Sequence, residues 1–205
     1  SKPDYWNKNR KVLGYLESHK EMSWQPTEDL MNFLEKHKND RILFVTFGSM
    51  TNTAPEKKTK ILTDILEKNQ IPAIINTAAG GLIELDVYDS KLLHFIPQIP
   101  YDWIFPRIYG VIHHGGSGTT HLALKYGRPT LVIPHIIDQF VWNKIIYKKE
   151  AGPKGSGWKE ITTKNLEPKI LELITNRCFK DGAEKIASQM QKENFQKELY
   201  ESIKE

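Results

Sequence analysis

The sequence is poor in the features that would assign it quickly. One cysteine, Cys178, stands among 205 residues, so no disulfide framework can form within the chain, and the composition fits a reducing compartment. No apolar run approaches the roughly 20 residues that span a bilayer. The start, Ser1-Lys2-Pro3-Asp4, has no signal-peptide character. Neither G-x-G-x-x-G nor G-x-x-x-x-G-K-[ST] occurs, which weakens hydride transfer and ATP hydrolysis as functions. The 29 basic against 25 acidic residues leave a charge of +4. They are dispersed rather than gathered in a stripe, so nucleic acid is not an expected partner.

What is present reads as an α/β protein. From residue 41 onward, strand-length apolar runs alternate with helix-period segments, the pattern of βα units around a parallel sheet. Strands are expected at Ile42–Phe47, Ile71–Asn76, Lys91–Ile96, Gly110–His113 and Thr130–Ile133, with a sixth near Ala151. The run Ile42-Leu43-Phe44-Val45-Thr46-Phe47 has no polar face, as befits a strand covered on both sides. Helices are expected at about 56–69, 117–126, 138–149, 163–176 and 181–203. Residues 1–40 read as a linker with a short helix from Thr27 to Lys38 and with Tyr5, Trp6 and Trp24 looking for something to pack on. Residues 41–180 read as the main domain, and 181–205 as a surface or crossover helix.

The chemistry concentrates at His113-His114-Gly115-Gly116-Ser117-Gly118-Thr119-Thr120, which follows a strand and opens a helix. Glycines let the backbone approach an anion, and the first amides of a helix point at it with the macrodipole behind them. A bare glycine turn without ligand is the alternative reading of that run. Adjacent histidines point to opposite sides of a strand and no carboxylate or cysteine completes a set, so no metal site is expected. One histidine of the pair can give a hydrogen bond or positive charge to a phosphate oxygen. After the next strand, Pro134-His135-Ile136-Ile137-Asp138-Gln139 brings an acid and an amide toward the same crevice, a pair suited to a polyhydroxylated ligand. The alternative is that Asp138 caps the following helix. Trp103-Ile104-Phe105 reads as core packing, with membrane proximity as its rival.

These residues, taken with Gly127-Arg128-Pro129-Thr130, Phe47-Gly48-Ser49-Met50 and Pro100-Tyr101-Asp102-Trp103-Ile104-Phe105-Pro106, resemble the donor-binding C-terminal half of GT-B nucleotide-sugar glycosyltransferases. The pattern is similar to the sterol glucosyltransferases and related bacterial antibiotic and lipid glycosyltransferases, over about residues 12–175. The resemblance implies a Rossmann-like, doubly wound parallel sheet of about six strands. It further implies a donor, UDP-glucose, whose diphosphate meets His114, Gly116, Ser117, Gly118, Thr119, Thr120 and Ser49. Base and ribose would meet Phe95, Ile96 and Gln98, and Asp138 and Gln139 would hold the sugar hydroxyls. Phe95 stands where plant relatives stack a Trp, and Leu122 stands where they carry a ribose-binding Glu.

By the same resemblance, the hexose goes with inversion to a hydroxyl of a lipophilic acceptor such as a sterol or lipid, without metal or other cofactor. The catalytic base and acceptor site belong to an N-terminal half outside this chain, and no residue here is expected to be that base. The expected setting is cytoplasmic, with a membrane met, if at all, peripherally through the full-length enzyme. Two rival readings carry their own signals. A donor-binding subunit for a separate chain would use Tyr5, Trp6 and Trp24 as partner surface, and an epimerase would need acids such as Glu84 and Asp86 in the cleft.

Overall fold

The computed structural model describes residues 4, 5, 7, 24–48, 54–77, 80–192 and 200. Its centre is β1 (Leu43–Thr46), flanked in a five-stranded parallel sheet by β2 (Ala73–Asn76), β3 (Leu93–Ile96), β4 (Gly110–His113) and β5 (Thr130–Val132), in the order β3-β2-β1-β4-β5. The apolar run explains the central position of β1. Leu43, Val45 and Phe47 face one side of the sheet and Ile42 and Phe44 the other, and all five are buried. Burial on both faces is the normal condition of a parallel strand.

Each face is roofed by helices whose apolar spacing dictates the contact. On one side lie α2 (Pro55–Lys68), through Leu62, Ile65 and Leu66, and α6 (Thr163–Thr175), through Leu166, Ile170 and Leu173. On the other lie α1 (Glu28–Lys36), α3 (Tyr101–Ile104) and α4 (Ser117–Lys125), through Leu30, Phe33, Ile104 and Ala123. Helix α1 begins where expected because Thr27 accepts the Leu30 amide at its N-cap (3.3 Å) and Glu28 and Asp29 fill the first turn. It is an integral part of the second core layer, and the half-buried Trp24 before it packs edge-on against Trp103 with centroids 5.0 Å apart. A third cluster joins α4, α5 (Ile137–Lys148) and α7 (Arg177–Lys192) through Leu124, Ile146 and Ala183.

The sheet has five strands among the described residues rather than about six. Residues 151–155 do run beside β5, and the Thr130 amide donates to the Ala151 carbonyl (2.9 Å). Pro153 has no amide to offer a ladder, however, so the segment ends as an irregular edging. A Cβ on Gly152 or Gly155 would collide with the carbonyl oxygens of Thr130 and Val132. Helix α7 starts at Arg177 rather than near 181 and is described to Lys192. The expectation for Trp103-Ile104-Phe105 resolves toward core, since Ile104 and Phe105 are fully buried and Trp103 lies beneath the Arg107 guanidinium at 4.2 Å.

Candidate functional site

Strand order reverses between β1 and β4, because the chain leaves β1 toward β2 and leaves β4 toward β5. In open α/β sheets that switch point leaves a crevice at the carboxyl ends of the strands. His114 and Gly48 meet there. The His114 imidazole lies between two glycines, such that a Cβ on Gly48 would stand 3.0 Å from its Cε1 and one on Gly116 only 2.5 Å from its Nε2. Gly48 also has φ +58, a left-handed conformation that disfavours side chains. Glycine at these positions is what admits the ring. Ser49, expected at the same group, lies outside the described residues.

Behind His114 the chain turns through Gly115 at φ +95 into α4, whose N-cap is Gly116 with no side chain to cap it. The amides of Ser117, Gly118 and Thr119 belong to the first turn, which has no carbonyl partners within the helix, and they carry the positive end of its dipole. Thr120 differs from the expectation. Its amide (3.0 Å) and its hydroxyl (2.8 Å) both donate to the Gly116 carbonyl, and its side chain is buried. It therefore builds the turn and is not available to an anion.

Burial sets the charge of the histidines. His113, on the inward side of β4, is fully buried, accepts the Gly115 amide at Nδ1 (3.0 Å), and is pushed down to about 3 by desolvation, with His114 adding to the effect. That acceptor role puts its proton on Nε2, which has no partner among the described residues. His114 is lowered by burial as well, while the carboxylate of Asp138 opposes the shift. It is thus a neutral donor at neutral pH in the free protein, not the positive charge that the residue type alone also allowed. Its Nδ1 is sealed and has no partner among the described residues, which leaves Nε2 as the nitrogen that can meet a ligand.

His135 forms part of the same wall, a role that was not legible in the sequence. It stacks on Trp158 (4.7 Å) near Phe47 (5.5 Å), and burial, foremost, takes it down to about 4. Nothing in the spacing around Gly155-Ser156-Gly157 announces that Trp158 returns to this place. Among the described residues no group of three or more His, Cys, Asp or Glu is arranged to hold a metal ion.

The Asp138–Gln139 pair divides its roles. Gln139 is buried and its Oε1 accepts the amides of His135 (2.7 Å) and Ile136 (3.3 Å), so Gln139, rather than Asp138, secures the head of α5. Only its Nε2 could still serve a ligand. Asp138 is left exposed on the rim beside His114.

The β3 side is less open than expected. Phe95 is half-buried with its ring edge-on to Tyr88 (4.7 Å), Ile96 is buried in the second core layer, and Gln98 is exposed. Phe95 also lines a cavity of about 550 Å³ bounded by Asp29, Asn32, Tyr88 and His94, beside the edge of the sheet. Strands β3 and β4 are three steps apart, about 14 Å at the usual strand spacing, a span that an extended nucleoside diphosphate can bridge. Leu122 packs into the second core layer. Glu84 accepts the Tyr88 hydroxyl (2.7 Å) on the segment leading to β3, and Asp86 is exposed there.

Comparison with known proteins agrees with this fold. Residues 90–205 match the family described as erythromycin biosynthesis protein CIII-like, C-terminal domain. The chain is similar to sterol 3-beta-glucosyltransferase UGT80A2 of Arabidopsis thaliana, 31% identical over 94% of this chain and 30% of that protein. It is equally similar to the sterol 3-beta-glucosyltransferase of Komagataella phaffii, 31% identical over 90% of this chain and 16% of the relative. It thus spans a third or less of these curated relatives. In fold it resembles the spinosyn rhamnosyltransferase SpnG (TM-score 0.68, 20% identity, 81% of this chain and 45% of that one). It also resembles the glycosyltransferase SnogD from Streptomyces nogalater (TM-score 0.62, 19% identity, 92% and 47%). A family match over more than half the chain, on a doubly wound sheet with its glycine-gripped histidine at the switch point, identifies this protein as a member of the erythromycin biosynthesis protein CIII-like C-terminal domain family, a glycosyltransferase C-terminal domain of GT-B fold.

Proposed function

We propose that this chain is the donor-binding half of an inverting glycosyltransferase that moves glucose from UDP-glucose to a hydroxyl of a lipophilic acceptor such as a sterol. The observation that carries the reading is the His114 imidazole fixed between Gly48 and Gly116, beside the amides of Ser117, Gly118 and Thr119. A diphosphate laid across this point receives a neutral N–H donor and the end of a helix dipole, and its arrival raises the basicity of His114. Both effects grow as negative charge develops on the departing UDP, which is the requirement for leaving-group stabilisation. No metal is required for that role. Asp138, on the rim, is placed to accept from sugar hydroxyls.

The acceptor must be deprotonated by a base that this half does not supply, so the partner is an N-terminal acceptor-binding half. Glucose and a sterol are the sugar and acceptor class named in the Arabidopsis and Komagataella relatives, and they support the same choice here. Calorimetric titration of the 205-residue protein with UDP, UDP-glucose, TDP-glucose and AMP is the direct test. Uridine nucleotides should bind, His114→Ala should weaken both of them, and Asp138→Ala should weaken UDP-glucose alone. Equal binding of AMP and UDP, or an Asp138→Ala effect on plain UDP as large as on UDP-glucose, would sink the assignment.

A further inference from the structure

The two strands that flank the switch point end in the same way. Thr46 closes β1 and His113 closes β4, and the two are register partners on neighbouring strands. Each is fully buried, and each accepts the amide of the glycine two residues on. Gly48 gives its N–H to Thr46 Oγ1 (3.3 Å) and Gly115 gives its N–H to His113 Nδ1 (3.0 Å). Both glycines lie at positive φ, +58 and +95, and the His114 ring stands against Gly48. A glycine at position 48 leaves room for that ring, but without a side chain it has nothing of its own to hold one backbone conformation. A hydroxyl that ties down its amide supplies the missing restraint.

Thr46 is the only polar residue of β1. Valine has nearly its shape and suits a strand buried on both faces equally well, so packing does not ask for the hydroxyl. Its bonds do. Besides the Gly48 amide, Oγ1 meets the Tyr101 hydroxyl at 2.8 Å. Tyr101 is itself held in the second core layer, stacked on Phe105 at 5.1 Å and edge-on to Phe44 at 5.6 Å. It is the first residue of α3 and follows Gln98 on the connection from β3. A line of contacts therefore runs from the β3 end, through Tyr101, Thr46 and Gly48, to the imidazole at the β4 end.

We infer that Thr46, held by Tyr101, is a positioning residue for the donor site, which keeps Gly48 in the left-handed turn against which the His114 ring is seated. The inference rests on the donor reading above and adds to it a buried residue that reaches the nucleotide only through others. Loss of the hydroxyl frees the glycine and lets the ring sample other rotamers, and a nucleotide must then order it on binding.

The experiment compares Thr46→Val, which keeps the shape and removes the hydroxyl, with Thr46→Ser, which keeps the hydroxyl and trims the shape. UDP calorimetry on the 205-residue protein should show a loss of about fivefold for Thr46→Val and less than about twofold for Thr46→Ser. Tyr101→Phe should lose about two- to threefold, and adding it to Thr46→Val should cost nothing more, because both act through one hydroxyl. In a His114→Ala background Thr46→Val should likewise have no further effect. Long-range proton–nitrogen NMR of the nucleotide-free protein reads the ring directly. The His114 signals, assigned through His114→Ala, should stay sharp and in place in Thr46→Ser and shift or broaden in Thr46→Val. A packing role predicts the reverse order, with Thr46→Ser the weaker variant, and that result overturns the inference. So do unchanged UDP affinity and unchanged His114 signals in Thr46→Val and Tyr101→Phe. If Thr46→Val does not fold, Tyr101→Phe decides by the same two readouts. If the wild-type protein binds no UDP, the donor reading fails, and the ring signals still decide whether Thr46 seats His114.

Discussion

The carboxyl ends of β4 and β3 were both expected to touch the donor, yet they are built differently. At β4 the backbone does the work, with Gly115 at φ +95, an uncapped helix start and an imidazole gripped between Gly48 and Gly116. At β3 the side chains are largely engaged elsewhere, Phe95 against Tyr88 and Ile96 in the core, leaving exposed Gln98 as the freest group. A site made of backbone geometry is rigid before ligand arrives. A site made of side chains must reorganise to serve one. The phosphate end should therefore dominate affinity, and the base end should adjust it.

The hardest blow to the β4 end is Gly116→Ala. Its new Cβ falls 2.5 Å from His114 Nε2, and the ring must swing away from the crevice. UDP affinity by calorimetry should drop at least tenfold, the loss of the bond that the imidazole gives to a charged oxygen. Retained affinity would show that the imidazole does not need its grip.

Acid should expose the same end through stability. His113 titrates near 3 when folded and near 6.5 when unfolded. Below 6.5 the unfolded chain binds the extra proton, and the stability contributed by neutral His113 is lost progressively as pH falls toward 3. Between pH 6.5 and 5 that amounts to about 2 kcal/mol. Urea melts at the two pH values should show the decline, and His113→Asn, though weaker at pH 7, should flatten it. An unchanged slope in the variant would mean that other groups carry the acid sensitivity.

His114→Ala removes one donor without disturbing the helix amides, so UDP affinity should fall about tenfold, within the range of a hydrogen bond to a charged group. At the β3 end, Gln98→Ala should cost UDP only two- to threefold and leave inorganic diphosphate unaffected. A loss at Gln98 rivalling that at His114 would reverse the ranking of the two ends.

The contrast also explains which parts could be read from the chain alone. The five strands and most helices were legible because β1 is apolar apart from Thr46 and α2 and α6 repeat their leucines and isoleucines at helical spacing. The phosphate crevice was legible because glycines after a strand and before a helix are a local signal. Long-range packing was not. Thr120 and Gln139 look like ligand donors by residue type, but the Gly116 carbonyl and the His135 and Ile136 amides take their polar groups first. His135 gained its place through Trp158, which arrives from a turn with no periodic pattern. The exposure of Ile137, Phe140 and Val141 on α5 was hidden because Gln139 and Asn143 share the buried face with Ile146, so the two sides of the helix differ little in polarity.

The irregular edging along β5 has a consequence for how this sheet can meet others. Gly152 and Gly155 press the 151–155 segment so close to Thr130 and Val132 that no further strand can be laid there, while no described strand pairs with the outer side of β3. The sheet is therefore monovalent. Through the described strands, two copies that met edge to edge would join β3 to β3, and such a pair presents the edging of β5 at each end. Among the described residues, pairing through the sheet edges therefore joins two chains and goes no further.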